Sequence, residues 1–190
     1  MLVIDTLFFC FQKNVSVTIF YLAFLDYKYY NLWSSDNTVT TANDNAVIKT
    51  IYDPSPVGYH LPPSNAFTGF TYNGNNMSGS YYGSQYNSPY TSADDFTTNG
   101  GWIFYCNKMN GASSYDPAGG TIFYPASGYR GNSSGALSGV GSGGYYWSAV
   151  PYSTSGGRNL YFSSAGVSPL SNRSRSYGFA VRPVQEFTAA

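Results

Sequence analysis

Short aromatic segments recur between turn-forming residues, and this feature constrains the fold more than any other. Each segment is rich in aromatic or β-branched residues and is bounded by Gly, Asn, Ser or Pro. They are GWIFYC, TIFYPA, GYYWSAV, NLYFSS and GFAVRPV. Such segments are typical of short β-strands that are joined by turns. The second half of the chain is therefore predicted to build small antiparallel sheets.

The first half of the chain predicts one or two helices and much irregular loop. Pro62 and Pro63 precede Ser64, which is predicted to cap a short helix over NAFTGF. The polar, Tyr-rich segment from Thr71 to Gly100 has no clear periodicity and is predicted to be a long loop. Early helices followed by short strands indicate an α+β fold.

Alternation within the predicted strands assigns side chains to faces of the sheet. Leu160 and Phe162 are predicted to point into the core, which leaves the residues between and beside them pointing outward. Trp147 is also predicted to be buried, because a Trp between Tyr146 and Ser148 suits a packed strand. The remaining assignments are Phe179 and Val181 in the core, Asn159, Tyr161 and Ser163 outward, and Arg182 as a buried, paired arginine for which Asp53 is one candidate partner.

Residues 1–25 differ in composition from the rest of the chain. Two apolar runs lie on either side of Gln12, Lys13 and Asn14, and neither reaches the ~20 residues that a membrane-spanning helix needs. Three interpretations stay open for this segment: a degenerate targeting signal, a β-strand of the domain, or non-native sequence. We therefore predict an N-terminal segment over residues 1–25 and one binding domain over residues 26–190.

The stretch from Gly144 to Pro183 contains almost none of the usual catalytic or metal-binding residues. It has no Asp, Glu, His, Lys or Cys, but it has eight aromatic residues, nine serines and four arginines. The sole histidine, His60, lies in a proline-rich turn, where a structural role is expected. No nucleophile and base occur together in the sequence, so no catalytic residue is predicted and the chain is expected not to be an enzyme.

Cofactor and metal binding are not predicted either. Cys10 and Cys106 show no zinc-ligand spacing. Asp94 and Asp95 form the one adjacent pair of carboxylates and could join a calcium site, but no further acid lies near them in sequence. The formal net charge is +0 and the arginines are dispersed, which argues against nucleic acid as a partner.

Several of these segments together resemble a group of Bacteroidetes surface domains. The group includes the Fibrobacter-type major paralogous domain and the C-terminal tip domains of fimbrillin-like proteins, and it is similar to the variable proteins of diversity-generating retroelements. The resemblance spans about residues 27–187. It rests on KTIYDPSPVGYHLPPSNAFTGF, GWIFYC, TIFYPASGYR, GALSGVGSGGYYWSA and RSYGFAVRPV.

This resemblance implies a C-type-lectin-like fold with small antiparallel sheets, one or two helices and long irregular loops. The EPN and WND motifs that hold calcium in lectins of this fold do not occur in the sequence. Formylglycine-generating enzymes look like distant relatives, but their active-site cysteine pair does not match Cys10 and Cys106. An enzyme of that kind is therefore the least favoured interpretation.

The resemblance and the composition together predict a recognition surface after Trp147. Tyr, Ser, Gly and Arg are the residues that antibody paratopes use, because Tyr offers a large contact area at a low entropy cost. The predicted partner is a protein or glycan on another cell, or on a phage or host surface, and the predicted location is secreted, cell-surface, fimbrial or virion-associated. The alternative is a structural pilus subunit that contacts other subunits. The predicted ligand-binding residues are Tyr152, Arg158, Tyr161, Ser163, Arg173, Arg175 and Tyr177.

Overall fold

The computed structural model describes residues 32–36, 38–39, 45–71, 87–90, 92–105 and 120–186. The N-terminal segment over residues 1–25, with Cys10, and Cys106 lie outside the described residues. So does most of the predicted loop after Thr71. Among the described residues, no helix is long and apolar enough to cross a membrane.

Two short helices precede most of the strands. A 3₁₀ helix spans Ser64–Phe70, as the prolines before it predicted, although Pro63 rather than Ser64 occupies its N-cap. An α-helix, α1, spans Ala93–Asn99 and begins at a capping box formed by Ser92 and Asp95. The prediction that the chain remains a loop up to Gly100 is therefore wrong over α1. A capping box satisfies two backbone N–H groups at the start of a helix.

Nine strands occur among the described residues: β1 Tyr59–His60, β2 Gly101–Tyr105, β3 Thr121–Pro125, β4 Ser127–Arg130, β5 Leu137–Val140, β6 Gly143–Pro151, β7 Gly156–Ser163, β8 Gly166–Ser174 and β9 Val184–Gln185. A five-stranded sheet has the order β5-β4-β6-β7-β8, while β2 pairs with β3 and β1 pairs with β9. All of these pairs are antiparallel except β4 with β6. The fold is α+β. Four of the five predicted aromatic segments, GWIFYC, TIFYPA, GYYWSAV and NLYFSS, correspond to β2, β3, β6 and β7.

One face of the five-stranded sheet, which we call the core face, packs against both helices and the β2–β3 pair. Leu160 and Phe162 of β7 are fully buried there, as alternation predicted. Phe162 meets Phe104 of β2 edge to face at 6.0 Å and Phe96 of α1 at 6.3 Å. The buried side chains of this core are Phe67, Phe70, Phe96, Trp102, Phe104, Tyr124, Ala126, Tyr146, Leu160, Phe162 and Val167.

The opposite face of the sheet is covered only in part. Trp147 is buried there, as predicted, with Leu61 and Ala149. Phe179 stacks on the Trp147 ring at 4.4 Å. Asn159 was predicted to point outward to solvent, but it is 1% exposed because it lies directly across from Trp147 in this covered part of the face.

The segment GFAVRPV does not form the predicted strand. Its backbone makes isolated bridges at Gly178 and Ala180, and a two-residue strand follows at Val184. Phe179 and Val181 nevertheless alternate as predicted, since both pack against Trp147 and Leu61 while Ala180 between them packs against the main core, but both are half-buried rather than fully buried.

Arg182 does not pair with Asp53, its candidate partner. Its guanidinium lies 4.3 Å from the centre of the Tyr124 ring and donates to the Phe123 carbonyl at 2.5 Å. The Asp53 carboxylate instead accepts hydrogen bonds from the backbone N–H groups of Ser55 and Leu61, at 2.8 and 2.9 Å. Arg182 therefore connects the segment after β8 to β3 through these two contacts.

Lys49 organises the turn that leads into β1. Its ammonium group donates to the carbonyl oxygens of Ser55, Pro56 and Tyr59 at 2.6, 2.9 and 2.6 Å. An ammonium group has three N–H donors, and this turn supplies one acceptor for each of them.

Candidate functional site

Four tyrosines meet on the sheet face opposite the core, and we call them the tyrosine face. They are Tyr129, Tyr145, Tyr161 and Tyr177, and each is partly exposed. The ring centre of Tyr145 lies 4.8 Å from that of Tyr129 and 4.9 Å from that of Tyr161, while Tyr129 and Tyr177 are 5.5 Å apart. Phe179 contacts Tyr145 at 5.0 Å and Tyr177 at 5.7 Å. The rings therefore form one continuous aromatic surface.

Backbone pairing brings these rings together from four separate places in the chain. Tyr145 in β6 lies directly across from Tyr161 in β7, so their side chains share a face. Tyr129 follows Gly128, which pairs with Gly144 in the parallel bridge between β4 and β6.

Tyr177 is placed by the turn that follows β8. The next residue, Gly178, exchanges two backbone hydrogen bonds with Arg130, at 2.8 and 3.0 Å. A Cβ atom at position 178 would lie 3.1 Å from the Arg130 Cβ, so a glycine allows this close approach. The turn is thus held against β4, and Tyr177 lies beside Tyr129.

The Tyr145 hydroxyl at the centre of the tyrosine face is neutral at physiological pH. Burial raises the pKa of Tyr145 to about 12, and the neighbouring Tyr161 and Tyr129 hydroxyls add to the rise. Arg173 acts on the same hydroxyl in the opposite direction and lowers that pKa. A phenol of this kind serves as a hydrogen-bond donor and acceptor at physiological pH rather than as a base.

Four of the seven predicted ligand-binding residues lie on this side of the sheet. Tyr161 and Tyr177 belong to the tyrosine face, and Ser163 follows two residues after Tyr161 along the same side of β7. Arg173 of β8 is exposed and close enough to influence Tyr145. These residues form one group, as the sequence predicted for the full set.

The other three predicted residues lie elsewhere. Arg158 was predicted to be exposed but is 3% exposed, because its position in β7 places it on the side of Leu160. The ring of Tyr152 covers its guanidinium at 4.5 Å, and burial lowers the pKa of Arg158. Arg175 is exposed at the end of the β6–β7 hairpin, where it donates to the Thr154 carbonyl.

A cleft of about 330 Å³ adjoins the tyrosine face. It lies between the β4–β5 hairpin and the segment after Tyr177, and it shares Tyr129 and Phe179 with the aromatic surface. Its lining residues are Ser127, Gly128, Tyr129, Arg130, Leu137, Gly178, Phe179 and Ala180. A volume of this size is at the lower end of the range for ligand pockets.

Sequence reasoning missed Tyr129 and Tyr145. The alternation that buries Trp147 also places Tyr145 on the same side of β6, so a signal for Tyr145 was present in GYYW. No comparable signal marks Tyr129, because its place depends on the parallel bridge between β4 and β6. Strands that pair out of sequence order leave no local trace in the sequence.

The described residues contain no cluster suited to metal binding. No group of three His, Cys, Asp or Glu side chains lies together among them. Asp95 accepts a hydrogen bond from the Ser92 backbone N–H within the capping box of α1, and Nδ1 of His60 lies 2.6 Å from the Leu61 carbonyl oxygen. Both groups therefore have structural partners, and what the arrangement offers chemically is a surface for contact.

Comparison with known proteins gives one match. A family model described as a domain of unknown function (DUF8237) matches residues 108–184. No curated protein and no solved structure matches the chain. The matched segment contains every residue of the tyrosine face and of the cleft.

Proposed function

We propose that this protein is a non-catalytic binding module that contacts its partner through the tyrosine face. The observation that carries the proposal is the contact between four partly exposed tyrosine rings on the sheet face away from the core. Residues that only stabilise a fold are normally covered, whereas clustered exposed aromatic residues mark interaction sites.

The chemistry of these residues supports a recognition role. Each Tyr combines an apolar ring with a hydroxyl, so it contributes contact area and a directional hydrogen bond together. Contacts of the rings with one another and with Phe179 restrict their rotation before a partner arrives. Preorganised side chains lose less entropy on binding, and Tyr is among the residues enriched in binding hot spots.

The resemblance of the sequence to the Bacteroidetes surface domains also bears on the fold and the location of the protein. We infer a C-type-lectin-like fold and an extracellular location, at a cell surface, a fimbria or a virion. The partner would then be a molecule on another cell or on a phage or host surface. A segment that is diversified by a retroelement would provide the same mixture of Tyr, Ser and Arg.

Binding of the labelled protein to a panel of bacterial and animal cells tests the proposal. The double variant Tyr145→Ala/Tyr161→Ala should lose about tenfold or more in affinity, since two hot-spot residues are removed. Tyr152→Ala is the matched control, because Tyr152 is an exposed tyrosine next to Arg158 and outside the tyrosine face. Circular dichroism should show that all variants remain folded. Equal loss of binding in the control, or none in the double variant, would contradict the proposal.

A further inference from the structure

Two residues of the tyrosine face occupy directly opposite positions on neighbouring antiparallel strands. Tyr145 of β6 pairs with Tyr161 of β7 in the backbone register, and their ring centres lie 4.9 Å apart with 39° between the ring planes. Side chains at opposite positions project from the same face, and the ladder keeps their Cβ atoms close together. The two strands therefore hold these phenols in contact without the help of a partner.

The hydroxyl groups of this pair also meet. The Tyr145 hydroxyl is hydrogen-bonded to Tyr161, whereas Tyr129 contacts Tyr145 edge to face, with 69° between the rings. The ortho carbons of a phenol are next to the carbon that carries the hydroxyl, so a hydrogen bond between two hydroxyls brings ortho carbons of the two rings near each other. Phenols that are joined through these carbons have ring centres about 4.3 Å apart, which is two ring radii and one C–C bond. The observed separation of 4.9 Å is only slightly larger.

The pair is open to solvent on its outer side and packed on its inner side. Both rings are partly exposed. The Tyr145 ring lies over Gly143, since a Cβ atom at that position would be 3.0 Å from the Cε2 atom of Tyr145. Phe179 contacts the same ring at 5.0 Å. An oxidant in solution can therefore reach the phenols, while their packing keeps them beside each other.

Other covalent links between side chains of β6 and β7 are excluded by composition. The sequences of these strands are GGYYWSAVP and GGRNLYFS. They contain no Cys and no Lys, so neither a disulfide nor an isopeptide bond can join the two strands. A bond between phenols is the remaining common cross-link that these side chains support.

We propose that Tyr145 and Tyr161 are an oxidative modification site at which a dityrosine bond joins β6 to β7. The oxidant is hydrogen peroxide acting through a haem peroxidase. Each phenol loses one electron and one proton, and the two phenoxyl radicals form a bond between their ortho carbons. The hydrogens on those two carbons then move to the oxygens, which restores both phenols. In total, two phenols and one hydrogen peroxide give one dityrosine and two waters.

The cross-link would act on stability as well as on the surface. It closes residues 145–161, which include the β6–β7 hairpin, into a covalent loop and so restricts the unfolded chain. It also fixes the two central rings of the tyrosine face relative to each other. This inference goes beyond the proposed binding function and does not depend on it.

Treatment of the purified full-length protein with hydrogen peroxide and a haem peroxidase, at a concentration low enough to limit links between molecules, tests the inference. The monomer should gain dityrosine fluorescence and lose the mass of two hydrogen atoms. Peptide mapping should place the link between Tyr145 and Tyr161, although the chain contains 20 tyrosines. The cross-linked monomer should unfold at a temperature about 5 °C higher than the untreated protein.

Conservative variants identify the pair. Tyr145→Phe and Tyr161→Phe should each abolish the link within the monomer, because a phenylalanine ring has no phenolic hydrogen to lose. Tyr129→Phe is the matched control, because Tyr129 contacts Tyr145 at 4.8 Å but edge to face, and its yield should equal that of the wild type. Tyr152→Phe should also leave the yield unchanged, because Tyr152 is exposed outside the tyrosine face.

Oxidation in urea separates the role of the fold from the reactivity of tyrosine in general. The yield of the link between Tyr145 and Tyr161 should fall at least about fivefold in the unfolded chain, because loop closure then has to bring the two rings together. An equal yield in urea would overturn the inference. So would a monomer without dityrosine, a link that maps to another pair, or an undiminished yield in Tyr161→Phe.

Discussion

The two faces of the five-stranded sheet are both aromatic, but they differ in the kind of aromatic residue and in its exposure. On the core face Phe162 is fully buried and meets Phe96 and Phe104 edge to face. On the opposite face Tyr145 and Tyr161 also meet each other, yet each is partly exposed. Ring contact alone therefore does not distinguish core from surface in this protein.

Under the proposed function, one face of the sheet contributes stability and the other contributes recognition. Neighbouring residues of β7 point to opposite faces, so Tyr161 and Phe162 serve different purposes although they are adjacent in sequence. A hydroxyl on the outer ring is compatible with water, while the inner ring carries no polar group that would need a partner. Substitutions that act on one face should consequently leave the other largely unaffected.

The largest expected effect comes from truncating a ring on the core face. Phe162→Ala should lower the free energy of unfolding by ~3–5 kcal/mol, because it leaves a cavity between the sheet, α1 and β2. Tyr161→Ala should cost about 1 kcal/mol or less, because the side chain is already partly hydrated. Urea denaturation of both variants measures the difference, and similar losses would show that the two faces are not energetically distinct.

Adjacent glycines in β6 give the second comparison. A Cβ atom at Gly144 would overlap the Phe162 ring on the core face, so Gly144→Ala should destabilise the protein by ~1–3 kcal/mol. At Gly143 the nearest atom would be in the Tyr145 ring at 3.0 Å, on the open side. That ring can turn outward, so Gly143→Ala should cost less than ~1 kcal/mol. Thermal denaturation should rank the two variants in this order, and the reverse order would contradict the facial assignment.

The smallest effect concerns the pH dependence of stability. The pKa of Tyr145 is about 12 in the folded protein and 10.0 in its unperturbed state, so the folded chain holds its proton more tightly. The stability that this difference contributes is complete below pH 10 and is lost as the pH rises towards 12.

Replacing the titrating hydroxyl should flatten that dependence. Denaturation midpoints measured from pH 9 to pH 12 should fall less steeply for Tyr145→Phe than for the wild type. Equal slopes in wild type and Tyr145→Phe would mean that the Tyr145 hydroxyl is as well hydrated as a free phenol.

The sequence predicted the fold where apolar periodicity is strong. The segments GWIFYC, TIFYPA, GYYWSAV and NLYFSS correspond to β2, β3, β6 and β7, and the predicted burial of Leu160, Phe162 and Trp147 is confirmed. Strand β8, with the sequence GVSPLSNRS, was missed because Ser, Pro and Arg dominate it. Its pairing with β7 stabilises it as a strand despite weak local preference, which is a tertiary effect.

The sequence contains a helix-start signal for α1, but the polar composition around it predicted a loop. Ser92 and Asp95 have the spacing of a capping box, and Gly100 follows at the C-cap with a left-handed backbone. The polar residues around them suggested a loop, since only Phe96 of this helix is buried. One buried side chain in two turns produces no visible periodicity.

The candidate site was predictable only in part for a similar reason. Alternation identified Tyr161 as outward, and the same rule placed Phe179 in the core, where it packs on Trp147 but stays half-buried. Arg158 lies next to Asn159 in β7, so its side chain points to the opposite face of the sheet. Its burial therefore depends on what packs against that face. Such long-range packing determines burial but leaves no periodic mark in the sequence.

The turn around Lys49 has a consequence for how the domain responds to its surroundings. Three carbonyl oxygens converge on the Lys49 ammonium in the way that such oxygens converge on bound cations elsewhere. Here the positive charge is attached covalently to the chain, so it cannot dissociate, be exchanged for another ion or be diluted away. The turn therefore needs no bound metal ion to hold its three carbonyl oxygens together.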